Sequence, residues 1–68
     1  MKAEWPGRVA EIHVAVGDAV ERDDEVVTIE SMKMLTPILA PAAGRVTEIE
    51  VAVDQFVDEG AVLLRLGS

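Results

Sequence analysis

The sequence predicts an all-β domain, a small sandwich or flattened barrel whose halves are related by an internal pseudo-two-fold axis. Three observations carry that prediction. A segment is duplicated, the apolar residues of each copy recur with a period of two, and turn residues come at short intervals with no long helical apolar period. Residues 7–31 read GRVAEIHVAVGDAVERDDEVVTIES and residues 44–68 read GRVTEIEVAVDQFVDEGAVLLRLGS, a gapless offset of 37 at which 10 of 25 positions are identical. Two copies are too few for a solenoid, which needs several stacked repeats. Each half is therefore expected to bury the apolar face of the other.

The elements follow in order. Pro6-Gly7 leads into a first strand in which Ile12, Val14 and Val16 alternate with Glu11, His13 and Ala15. After Pro41-Ala42-Ala43-Gly44 the second copy repeats this with Ile49, Val51 and Val53 against Glu48, Glu50 and Ala52. Such alternation marks strands with one buried face. Val9 and Val46 fall out of phase with the isoleucines in both copies, which predicts a bulge or a change of exposed face near each. Further strands are expected at 25–30, 36–40 and 61–66, with Val27, Ile29, Leu64 and Leu66 as core residues. Turns fall at Gly17-Asp18 and Gly60. The repeat aligns Gly17 with Asp54 and Gly60 with Asp23. Aspartate is among the few residues besides glycine that tolerate a left-handed backbone, so a positive φ is expected at all four.

Composition limits function. A chain of 68 residues has room for one domain, spanning 1–68, and little for a deep substrate pocket. A module serving larger partners is expected rather than an enzyme. There is no cysteine, hence no disulfide framework. The net charge of −7 argues against nucleic acid and against anionic membranes. No run approaches the roughly 20 apolar residues of a membrane span, and residues 1–6 contain no signal-peptide apolar region. A cytoplasmic monomer is expected.

The halves cease to match at Glu30-Ser31-Met32-Lys33-Met34-Leu35, which joins the strand ending at Glu30 to the next. Methionines stand where a hairpin normally has Gly, Asn, Asp or Pro. Local departures of this kind are expected where function overrides folding preference. Lys33 could be a solvated surface charge and the methionines could close the end of the core. Their placement midway through the duplication, with the chain termini expected at the opposite end, favours a functional reading. Other candidates are weaker. Asp23-Asp24-Glu25 lacks the spacing of a calcium loop and reads as a solvated turn. His13 has no second histidine or cysteine to share a metal, and Trp5 and Phe56 could help recognise a partner but read first as core or rim packing. No catalytic triad, P-loop or dinucleotide fingerprint is present.

Ile29-Glu30-Ser31-Met32-Lys33-Met34 resembles the attachment motif of biotinyl domains, in which a lysine lies between two methionines on a hairpin turn. The likeness extends to Pro6-Gly7-Arg8-Val9, Val16-Gly17-Asp18-Ala19-Val20 and Ala40-Pro41-Ala42-Ala43-Gly44-Arg45-Val46, nearly the whole chain. The chain looks like a biotin carboxyl carrier domain, similar to small free-standing bacterial biotinylated proteins. The resemblance implies a flattened barrel of two four-stranded antiparallel sheets, with an attachment hairpin at 31–35. It implies that a biotin protein ligase joins biotin to Lys33, with Met32 and Met34 as flanking recognition residues and Glu30 and Ser31 supporting the hairpin. It further implies a non-catalytic carrier passing a carboxyl group from a biotin carboxylase to a carboxyltransferase. Ser31 stands where biotinyl domains commonly have alanine, and the protruding thumb of some carriers is missing between Val16 and Gly17. Glu30-Ser31 is shared with many lipoyl motifs, so a lipoyl-type or dual carrier is the alternative, and an unmodified adaptor domain a further one.

Overall fold

The computed structural model describes residues 1–67 and contains seven strands and no helix among them. They are β1 (Gly7–Ile12), β2 (Ala19–Val20), β3 (Glu25–Ser31), β4 (Met34–Leu39), β5 (Gly44–Ile49), β6 (Phe56–Val57) and β7 (Leu64–Gly67). Two antiparallel sheets result, one ordered β4-β3-β1-β6 and the other β2-β5-β7. The offset of 37 maps β1 onto β5 and β6 onto β2. It also maps the β3 region onto the segment containing β7, so the two sheets are equivalent under the duplication, each completed by a short strand from the other copy.

The place equivalent to β4 is taken by the first residues of the chain, through an isolated Lys2–Val62 bridge. The hydrogen bonds there repeat in both halves. Asp23 N donates to Ala40 O at 2.9 Å, as Gly60 N does to Ala3 O at 2.8 Å. Ala40 N donates to Asp24 O, and Ala3 N to Ala61 O, each at 2.8 Å. Ala3 and Ala40 are both buried. One sheet thus has four strands, the edge one only two residues long, and the other has three plus this short bridged segment.

Both bulges lie at the predicted places. The β1–β3 register slips between Val9 and Glu11, and the β5–β7 register slips between Val46 and Glu48. The extra residues, Ala10 and Thr47, let Val9 and Ile12, and likewise Val46 and Ile49, point inward despite their odd spacing. Positive φ occurs at Gly17, Asp23, Asp54 and Gly60, as the repeat predicted.

The core joins both sheets through Val9, Val20, Val26, Val27, Ile29, Val46, Val57, Leu63 and Leu64. The alternation into Val14 and Val16 does not continue as strand. β1 ends at Ile12, Val14 is half-buried, and Val16 is 61% exposed, as Val53 is at 52% in the other copy. The chain must leave one sheet for the other here: Gly17 N donates to Val46 O, and Asp54 N donates to Val9 O. That crossing takes both valines off the sheet face. Leu66 is half-buried rather than enclosed.

Candidate functional site

β3 and β4 form a hairpin in which Ser31 pairs with Met34 and only Met32 and Lys33 turn the chain. A two-residue hairpin loop matches the right-handed twist of its strands when both turn residues take positive φ. Met32 and Lys33 do so, at 51° and 64°. No glycine, asparagine or aspartate relieves that geometry, so two long side chains occupy backbone positions that disfavour them. Lys33 is exposed, and among the described residues it has no side-chain hydrogen bond or ion pair. Met32 is 93% exposed and Met34 68%, so two exposed apolar side chains flank the lysine.

Below the turn the hairpin is held from the neighbouring strand. Glu30 lies opposite Arg8 of β1, and Arg8 Nη2 donates to Glu30 Oε1 at 3.1 Å. A second arm, Nη1, donates to Asp54 Oδ1. The hydrogen bond to Glu30, then the Glu30 charge, with a smaller part from Asp54, raises the Arg8 guanidinium above its already high ordinary value. This ion pair is half-exposed, so its role is geometric more than energetic. It ties the end of β3 to the turn before β6. Gly7, beside it, is buried against the hairpin strand. A Cβ there would stand 2.5 Å from Ile29 Cγ2 and 2.7 Å from Glu30 O. Only glycine permits that approach.

The sequence-predicted residues Glu30, Ser31, Met32, Lys33 and Met34 therefore lie together at one end of a body measuring 33 × 19 × 18 Å. Arg8 and Asp54 at the same end were not singled out as site residues, and Phe56 was read as core or rim packing. The repeat held the signal: Arg8 and Arg45 are identical, but their partners Glu30 and Gly67 differ. The weaker candidates are structural. His13 Nε2 donates to Thr28 Oγ1 at 2.8 Å, and the Thr28 hydroxyl donates to Glu25 Oε1 at 2.9 Å. Asp24 Oδ2 accepts the Glu21 N–H at 2.8 Å, which closes the acidic turn on itself. Among the described residues no cluster of His, Cys, Asp or Glu could hold a metal ion. Trp5 and Phe56 are both exposed rather than core.

Comparison with known proteins gives this hairpin its context. The family described as "Biotin-requiring enzyme" matches residues 2–66. The chain belongs to the biotin/lipoyl attachment family. It is 44% identical over 65 residues to the biotin/lipoyl attachment protein of Bacillus subtilis (strain 168), covering 96% of this chain and 89% of that protein. It superposes on the urea carboxylase of Kluyveromyces lactis with a TM-score of 0.92 and 31% identity, covering 98% of this chain and 6% of that one. It also superposes on the lipoyl domain of the 2-oxoglutarate dehydrogenase complex of Azotobacter vinelandii with a TM-score of 0.80. There the identity is 36%, over 93% of this chain and 80% of that domain. Biotin/lipoyl attachment domains carry biotin or lipoate on a lysine and act as carriers rather than catalysts. Relatives of both kinds are present, and carboxylases are among the structural neighbours. Among the described residues no helix is long and apolar enough to cross a membrane.

Proposed function

We propose that this chain is a biotin carboxyl carrier with Lys33 as its attachment residue. The observation that carries the reading is the exposed lysine at the apex of a strained two-residue turn, flanked by two exposed methionines. A fold that keeps two bulky residues at positive φ incurs a cost that asparagine and glycine would remove. Retaining the lysine serves a partner enzyme. Amide formation requires the Nζ lone pair, so the ligase must take a proton from the ammonium before nitrogen attacks the activated acyl carbon. The C–N bond forms as the bond from that carbon to its leaving group breaks. Biotin, once attached, supplies the carboxyl-carrying chemistry. This chain supplies the tether, a flexible stem whose charge is removed on acylation, and high effective concentration at any active site within reach.

In this reading Met32 and Met34 meet the ligase, while Glu30 and Ser31 hold the hairpin base. The partners are a biotin protein ligase, a biotin carboxylase and a carboxyltransferase, met by a monomer in the cytoplasm. The kinship with a lipoyl domain supports lipoylation of the same lysine as the second reading. Intact-mass and peptide mapping after incubation with biotin, ATP and a biotin protein ligase, and separately with lipoate and its ligase, tests both. We expect one biotinyl group on Lys33 and none on Lys33→Ala. Labelling that persists in Lys33→Ala points to Lys2 and rejects the site; lipoyl labelling without biotinyl labelling rejects the biotin assignment.

A further inference from the structure

The duplication provides an internal control for locating function, because the positions of β1, β3 and β6 at the lysine-bearing end have counterparts in β5, β7 and β2. On the solvent face of the four-stranded sheet, just below the turn, Leu35, Glu30, Arg8 and Phe56 form one ladder row across β4, β3, β1 and β6. Directly opposed residues share a face. The counterparts of Phe56, Arg8 and Glu30 are Ala19, Arg45 and Gly67, likewise in register. Only the arginine is kept. The lysine end has gained an aromatic side chain, 66% exposed, and a carboxylate that fixes the arginine. Arg45 instead donates to the Gly17 carbonyl at 3.2 Å. The core does not require Phe56, since Val57 beside it fills the interior as Val20 does in the other half.

We infer that this row is a docking face for the enzyme that acylates Lys33, with Phe56 as its apolar anchor; the inference rests on the proposed attachment at that lysine. Strand spacing puts Phe56 about 12 Å from the turn, two strands across and two to three residues along. The four-carbon stem of Lys33 is shorter than that, so an enzyme that reaches Nζ must lie against this end of the carrier. A standard interface buries about 800 Å² on each side, equivalent to a disc of about 16 Å radius, which takes in the whole row. Within such a footprint binding energy concentrates in a few apolar or aromatic anchors. Met32, Met34, Leu35 and Phe56 are the large exposed apolar side chains of the turn and row. Glu30 neutralises Arg8 within the row, and Asp54, bonded to the same guanidinium, leaves these three charged groups with a net negative charge. The partner surface that fits is an apolar recess with a basic rim.

The test measures steady-state acylation of the full, unmodified chain by whichever ligase labels the wild type, with ATP and its acid. Phe56→Ala should raise KM about five- to tenfold with kcat within twofold, because an exposed anchor contributes to binding and not to chemistry. Phe56→Leu should give a smaller rise and guards against loss of folding in the alanine variant. Val16→Ala, an exposed apolar change at the other end, should have no effect. The swap Phe56→Ala with Ala19→Phe keeps composition while moving the aromatic, and it should stay as impaired as Phe56→Ala. A KM for both Phe56 variants within twofold of wild type overturns the docking face while leaving the Lys33 assignment intact. A wild type that neither ligase labels removes both.

Discussion

Replacing Met32 and Lys33 together by asparagine and glycine should stabilise the protein while abolishing its modification. Both residues hold positive φ, 51° and 64°. A left-handed conformation costs an ordinary L-residue roughly 1–2 kcal/mol. Glycine at 33 removes that cost but gives back roughly 0.5–1 kcal/mol through the greater freedom of the unfolded chain. Asparagine at 32 relieves part of it without that penalty. The Met32 side chain, 93% exposed, surrenders almost no buried area. The net gain is about 1 kcal/mol, which for a domain of this size raises Tm by about 4–8 °C. Thermal unfolding of the unmodified variant followed by circular dichroism measures it, and a ligase assay confirms the lost acceptor. A Tm equal to or below wild type would refute the view that the turn sacrifices stability to present the lysine.

Two more predictions follow from packing and charge. Gly7→Ala sets a methyl against Ile29 and the Glu30 carbonyl and should cost about 1–3 kcal/mol, read as a lower urea midpoint with unchanged slope. Glu50 is held above the usual carboxylate range, first by its hydrogen bond with Glu48, then by desolvation and the Glu48 charge, with Arg65 opposing. The folded state therefore holds this proton more tightly than the unfolded chain, so the associated stability is full below the unfolded value and is lost as pH rises through the folded one. Glu50→Gln should accordingly raise Tm at pH 7 and leave it unchanged at pH 3. An equal shift at both values would assign the effect to something other than charge.

Much of the fold was legible because it is written in local pattern. The out-of-phase Val9 and Val46 marked bulges, since an odd spacing between inward residues can be met only by an extra residue. The exchange of glycine for aspartate between copies marked positive φ, since few residue types share that backbone. The Met32-Lys33-Met34 turn was conspicuous because its residues contradict hairpin chemistry. Exposure of Val16 and Val53 was not legible, because alternation continues past the point where the chain must cross between sheets. Nor was the row from Leu35 to Phe56 legible. Its members are distant in sequence, and only strand pairing fixes which of them stand side by side.

The sequence by itself determined a duplicated all-β domain with a lysine offered between methionines at the midpoint, because periodicity, turn chemistry and repeat are properties of neighbouring residues. Tertiary structure alone decided what surrounds that lysine. Glu30 reaches Arg8, Arg8 reaches Asp54, and Phe56 lies beside them, because strand order and register bring together side chains up to 48 residues apart. The two halves share a backbone, and the partners that each arginine meets make one end different from the other.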